Sequence, residues 1–410
     1  MLNWCNRFNI CCFLDNQHYP SALHRYECLL AAGATHTLQA TTGDNAFSLL
    51  RSFYELHKDW LFGHLAYDLK NELEPLTSNH PDGIGFPDLF FYVPAVILQL
   101  GETELMIGTL QDDAESIFEA IMEMPAEDQV KKGGGFSVQP RFTRDEYLQV
   151  IKDLQQHILR GDCYEINFCQ EFYATAVIDP WQVYHALCEA SPNPFAAFYR
   201  SGDQYLMCAS PERYLNKQGQ RLFSQPIKGT WQRDITNQVS DQENKEQLFH
   251  SAKDRSENVM VVDLVRNDLS KVCEEGSVQV DELFGIYSFP QVHQMISTVS
   301  GMLRPDVHFI DAIRDTFPMG SMTGAPKRRV MELIEQYERT RRGLFSGSVG
   351  YITPEGNFDF NVVIRSILYN SATQYLSYQV GSGITFYSDP VGEYEECLLK
   401  AAAIRRVLGG

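Results

Sequence analysis

The chain has 410 residues, 44% of them hydrophobic and 21% charged, the make-up of a folded protein with two or three domains or one large core with an appended region. Its formal net charge of -19 argues against nucleic acid and against an anionic membrane surface as partners. No run of about 18 apolar residues offers a membrane span. Met1–Arg7 lacks the basic-then-apolar pattern of a secretory leader. Ten cysteines without a Cys-x-x-Cys pair read as thiols of a reducing cytoplasm, not as a disulfide frame or zinc site.

Along the chain, residues 1–130 form an N-terminal region. A Gly-rich linker over 131–139, centred on Lys131-Lys132-Gly133-Gly134-Gly135, separates it from a longer core over 140–410. Thr143-Arg144-Asp145-Glu146 has the capping-box pattern. Tyr147, Val150, Ile151, Leu154 and Ile158 then repeat at helical spacing, and Gly161 is the expected stop. A strand is expected from Tyr164 to Thr175. Residues 214–225 suggest a hairpin turning at Lys217-Gln218-Gly219-Gln220, which would draw Glu212 and Lys228 together. One long helix is expected from Asn244 to Leu269. Another should follow Gly324-Ala325-Pro326, because proline suits a helix start. Three β-rich runs come next, over residues 343–352, 358–369 and 374–384, joined by short turns as in an antiparallel meander. A last helix is expected over residues 392–408. Strands grouped in runs with helices outside give an α+β class.

Several residues in this layout carry chemistry. Glu393 and Glu396 share a helical face with Lys400, and Asp254 and Glu257 repeat the spacing on the earlier helix. Two such pairs can build a hard oxygen site for Mg²⁺; they also fit two solvated acidic faces balanced by Lys400 and Arg255. Lys228 beside Glu212 is either a nucleophile or base with its acid, or a surface ion pair. The turn Gly320-Ser321-Met322-Thr323-Gly324-Ala325-Pro326-Lys327 feeds a helix start, where backbone N–H groups can bind an anion; a plain tight turn serves equally. Gly381-Ser382-Gly383 either admits a ligand to the backbone or turns the chain. Arg365, inside an apolar run read as strand, requires an anionic partner, either a substrate carboxylate or a fixed Asp/Glu. No Gly-x-Gly-x-x-Gly, His-Glu-x-x-His or Gly-x-Ser-x-Gly motif is present, and His293 reads as a core histidine.

Taken in order, seven segments resemble the chorismate-binding family of anthranilate, aminodeoxychorismate, isochorismate and salicylate synthases. They are Gly161–Asn167, Ser210–Arg213, Pro226–Thr230, Asp263–Asp268, Ser321–Lys327, Val363–Ser366 and Gly381–Ile384. The resemblance spans about residues 140–408. It implies an anthranilate synthase component I-like sandwich of two antiparallel β-sheets with helices packed outside. It implies Mg²⁺ held at Asp254, Glu257, Glu393 and Glu396. It also implies chorismate bound by Arg365, Tyr351, Lys400, Gly229, Ser321, Thr323 and the Gly381–Gly383 backbone, with Lys228 and Glu212 catalytic.

Within that family, lysine in Pro226-Ile227-Lys228-Gly229-Thr230 is similar to the aminodeoxychorismate synthases, whereas anthranilate synthases usually carry alanine there. The reaction implied is chorismate plus ammonia to 4-amino-4-deoxychorismate, on the way to 4-aminobenzoate and folate. Anthranilate or isochorismate formation, or a non-catalytic chorismate-binding subunit, are the alternatives. Two departures stand out. Leu29-Leu30-Ala31-Ala32 replaces the Leu-Leu-Glu-Ser of tryptophan-sensitive relatives, and Gln294 stands where relatives often have histidine, so no role is carried over to His293. None of the cysteines sits in a Gly-x-Cys-x-Gly elbow, so ammonia is expected from a separate glutamine amidotransferase subunit or from free ammonium.

Overall fold

The strand Glu165–Thr175 is buried on both faces and divides the interior. Ile166, Phe168 and Phe172 face one apolar core together with Tyr378 and Val380, while Cys169 faces the other. Its partner is Tyr375–Ile384, antiparallel from Tyr375 opposite Thr175 to Ile384 opposite Ile166. The computed structural model describes residues 1–19, 26–110, 113–124, 136–289 and 291–409. Lys131–Gly135, on which the linker reading rests, lies outside them.

Every strand pairing among the described residues is antiparallel, and the pairings join 19 strands in one network. With the helices packed against it, this is the expected α+β architecture. The N-terminal region is built into the same network. Ile10–Asp15 lies between Cys28–Ala40 and Phe195–Ser201, and Leu61–Leu65 pairs with both Leu89–Leu100 and Ser348–Ile352. Both cores take residues from the two ends of the chain: one runs from Trp4 to Leu408 and the other from Cys12 to Leu368.

Local rules hold where a few neighbouring residues decide the outcome. Helix Arg144–Leu159 opens on a complete capping box between Thr143 and Glu146, and Gly161 leaves it at φ +82°. The hairpin Arg213–Gln218/Arg221–Gln225 forms with Gly219 at φ +59°. Helix Lys327–Tyr337 begins directly after Pro326.

Three expected elements are broken. The helix expected over residues 244–269 is two, Gln238–His250 and Ala252–Ser270. Ser251 adopts an extended backbone between them, and its hydroxyl accepts the Asp254 amide at 3.3 Å. The strand expected over 358–369 is also two. Phe358–Asn361 pairs with Arg213–Gln218, and Ser366–Asn370 pairs with Gln204–Ser210. The chain switches partners across residues 362–365, where Arg365 takes φ +50°, so Arg365 sits in a connection and not in a strand. The last helix divides at Ala401 into Pro390–Lys400 and Ala402–Val407. No helix among the described residues is long and apolar enough to cross a membrane.

Candidate active site

Lys228 reaches the site through an irregularity in its strand. Ile227–Gln232 pairs with Val292–Met302, but the register slips between Ile227 and Thr230, and Gly229 takes φ +98°. A bulge of this kind re-aims a side chain. A side chain at Gly229 would be strained by that φ and would bring its Cβ to 3.0 Å from the Cβ of Asp254. The Lys228 ammonium donates to Glu165 Oε1 at 2.6 Å, and the two side chains are 11% and 3% exposed. Burial works to lower the lysine pKa, but the charges of Glu165, Glu257 and Glu396 outweigh it, so Lys228 holds its proton more tightly than a free lysine.

Glu212 follows strand Gln204–Ser210. Its amide donates to Ser210 Oγ at 3.2 Å, and its carbonyl accepts from Val362 at 3.0 Å. Its side chain is buried, and burial raises its pKa to about 7 against the pull of Ser321, Lys228, the Ile227 amide and Arg365. The acid is therefore poised to give or take a proton near neutrality. Burial lowers the Arg365 guanidinium pKa to about 10, with the Glu212 charge offsetting part of that cost. Glu212 is the acid whose charge acts on the half-buried Arg365. Arg213, next in sequence, has a purely structural role: it forms a two-point pair with Asp359, both contacts at 2.9 Å.

On the facing helices, Lys253 lies among three carboxylates. Its ammonium is 3.3 Å from Glu393, 3.8 Å from Glu257 and 4.0 Å from Glu396. Lys400 pairs with Glu396 at 2.8 Å and donates to the Gly381 carbonyl at 3.1 Å. Lys400 is the main cause of a Glu396 pKa lowered to about 2, whereas burial raises that of Glu257 to about 7.

The model of the chorismate binding enzyme family matches residues 11–406. The chain belongs to the chorismate-binding enzymes. Over 362 residues it is 34% identical to the aminodeoxychorismate synthase component 1 of Bacillus subtilis, covering 84% of this chain and 76% of that one. It is 35% identical over 361 residues to an anthranilate synthase component I-like protein of Synechocystis, covering 86% and 73%. Among solved structures, anthranilate synthase component I from Streptococcus pneumoniae superposes with a TM-score of 0.81 at 24% identity, covering 95% of this chain and 93% of that one.

Of the residues that the family resemblance implied, the structure sets Ser321, Lys228 and Arg365 around Glu212, and Lys228 also lies within the field of Glu257 and Glu396. Lys253 joins Glu257, Glu393 and Glu396, and Lys400 joins Glu396 to Gly381. Gly383 borders the Lys228–Glu165 pair, for a Cβ there would stand 2.5 Å from Lys228 Nζ and 2.6 Å from Glu165 Oε1.

Three residues are placed differently. Tyr351 points into a separate cavity with Tyr26, Leu29 and Asp359 and packs on Trp60 and Phe62. The alternation of strand Ser348–Ile352 sends it there, so it is corrected out of the substrate set. Thr323 is fully buried, and its hydroxyl donates to the Met319 and Gly320 carbonyls at 3.2 Å, which commits it to closing the turn. Asp254 stands beside Gly229 and accepts from the Trp231 indole at 3.4 Å. His293, as expected, is a buried histidine, held by Ser288 and Asp241.

Among the described residues no three His, Cys, Asp or Glu side chains close on a metal-sized point. Yet Glu257, Glu393 and Glu396 already surround one cation, the Lys253 ammonium. A set of hard carboxylate oxygens around a positive charge suits Mg²⁺. Sequence reasoning missed Lys253 and Glu165. Glu165 lies inside the Gly161–Asn167 segment and could have been flagged as an acid on a strand buried on both faces.

Proposed function

We propose that this chain aminates chorismate at C4 to give 4-amino-4-deoxychorismate, as an aminodeoxychorismate synthase component that takes ammonia from a separate glutamine amidotransferase. The product would feed 4-aminobenzoate and folate synthesis. The observation that carries the reading is the buried lysine at the strand bulge, across from a carboxyl group that is half protonated near neutral pH.

In this reaction the Lys228 amine attacks C2 of chorismate. The ring double bonds shift, and the C4 hydroxyl leaves as water with the proton of Glu212. Ammonia then attacks C4, the double bonds return, and the C2–N bond to Lys228 breaks. One hard substitution becomes two easier ones, and the enolpyruvyl group is retained. Arg365 and Lys400 balance substrate carboxylates in a chain whose net charge is otherwise strongly negative. Mg²⁺ held by Glu257, Glu393 and Glu396 would neutralise the ring carboxylate; Asp254, the fourth implied ligand, is engaged with the Trp231 indole instead.

The test is the mass and chromatographic identity of the product from chorismate, Mg²⁺ and ammonium at alkaline pH. Aminodeoxychorismate is the expected product. Anthranilate with pyruvate, or isochorismate, would replace this reading with that of a sister enzyme.

A further inference from the structure

We propose that Glu165 acts on this amination through Lys228: it holds the lysine at the bulge as an ammonium and so fixes the share of free amine available to attack. The inference rests on the reading in which Lys228 is the nucleophile.

Three observations carry it. The contact is short, at 2.6 Å, and both side chains are nearly excluded from water. At such a site an ion pair is screened little. The pair is also walled in, because the room it occupies exists only through the missing side chain of Gly383. Finally, the second carboxylate oxygen, Glu165 Oε2, is buried without a hydrogen-bond donor. Among the described residues no other donor shares that charge, so Glu165 is balanced chiefly by Lys228. Glu165 is thus a positioning residue that nothing in the mechanism above requires.

The other charged groups around Lys228 act in known directions. Glu257 on Ala252–Ser270 and Glu396 on Pro390–Lys400 favour its ammonium form, as Glu165 does. Lys253 and Lys400 pair with those two acids and blunt them. Glu212, across the site, carries only part of a charge near neutral pH.

An ammonium has no lone pair. Before the C2–N bond forms, Nζ must lose one proton, which passes to Glu165 or to water. The C4–O bond then breaks as Glu212 supplies the proton that carries the oxygen away as water. When ammonia displaces the lysine, Nζ recovers its electron pair and takes a proton back. The first of these steps grows harder as the Glu165–Lys228 pair grows tighter.

The experiment uses the whole chain with chorismate and Mg²⁺ but no ammonium, and follows the lysine adduct by intact mass as a gain of chorismate less water. Its rate is measured against pH for wild type, E165Q, E165D and K228A. Glutamine keeps the shape of Glu165 and still accepts from Nζ, so E165Q should fold, as thermal unfolding will check. The expected result is that the midpoint of the acid limb falls by about one to three pH units in E165Q, the usual effect of removing an opposite charge at this range. E165D should stay close to wild type, and K228A should form no adduct.

An unmoved midpoint in E165Q would overturn the inference. So would a folded E165Q that forms no adduct at any pH, since Glu165 would then be an obligatory base. Absence of adduct in wild type that still makes product with ammonium would overturn the nucleophilic role of Lys228 itself, a different failure.

Discussion

Glu212 and Lys228 both hold protons more tightly than they would in water, for different reasons. Glu212 is raised by burial, Lys228 by surrounding carboxylates that outweigh burial. For Glu212 this suits an acid, and E212Q should lower kcat by about 10² to 10⁴ with little change in KM; a loss confined to KM would mean binding instead. The same shift has a sign in stability. The folded protein keeps the Glu212 proton up to about pH 7, whereas the ordinary value is 4.5. Stability is therefore lost as pH rises between those values, by on the order of 3 kcal/mol at most. E212Q should be more stable than wild type at pH 8 and nearly equal to it at pH 4.5, as measured by urea unfolding at both. K228A should abolish aminodeoxychorismate formation or divert product towards anthranilate, read by product mass. Gly383→Ala would press on the ends of two flexible side chains, so it should cut kcat at least tenfold, from about 1.4 kcal/mol of misplacement, while shifting Tm by only a few degrees.

At the scale of elements, the site depends on where helices and strands break. Ser251 ends one helix and caps the next, which carries Lys253, Asp254 and Glu257. Removing the cap by Ser251→Ala should cost about 1 kcal/mol, seen as a Tm decrease of a few degrees, and should loosen Glu257 enough to raise KM. The facing helix Pro390–Lys400 contributes Glu393 and Glu396. If these acids and Glu257 hold Mg²⁺, E257Q and E396Q should each weaken Mg²⁺ binding by tenfold or more in calorimetry with chorismate present. Full turnover in EDTA would remove the metal from the mechanism. The strand break at residues 362–365 matters equally, because it carries Arg365 towards Glu212.

At the scale of the whole molecule, the strands of residues 1–110 complete the sheet of the catalytic region. Residues 136–410 alone should therefore fail to fold, since strands Phe195–Ser201 and Ser348–Ile352 would present open edges and both cores would lose apolar partners. Circular dichroism and solubility of that fragment are the check. Nitrogen supply also belongs to this scale. The chain alone should use ammonium salts but not glutamine, with rates rising towards pH 9 as free ammonia becomes available. Robust turnover with glutamine as sole nitrogen source, free of contaminating glutaminase, would contradict a separate amidotransferase. Nine of the ten free thiols are buried, and Cys28 is half-buried.

The sequence by itself determined whatever depends on near neighbours. The capping box at Thr143, the Gly219 hairpin and the helix after Pro326 follow from the local chemistry of a few residues. The ordered motifs were enough to place the chain among chorismate-binding enzymes. They also brought Glu212, Lys228 and the paired glutamates forward, since residue type and helical spacing are written in the chain. Tertiary structure decided the rest. Arg365 left its expected strand because the flanking segments pair with two different neighbours, which no local pattern encodes. Tyr351 faces another cavity because strand parity is fixed by the partner strand. Asp254 meets Trp231 because its helix packs on the strand Ile227–Gln232, and Lys253 reaches from that helix to Glu393, 140 residues further along the chain. The partner of Lys228 was the hardest to foresee. Glu165 is 63 residues away along the chain, and only the sheet, with its opening at Gly383, sets the two charges side by side.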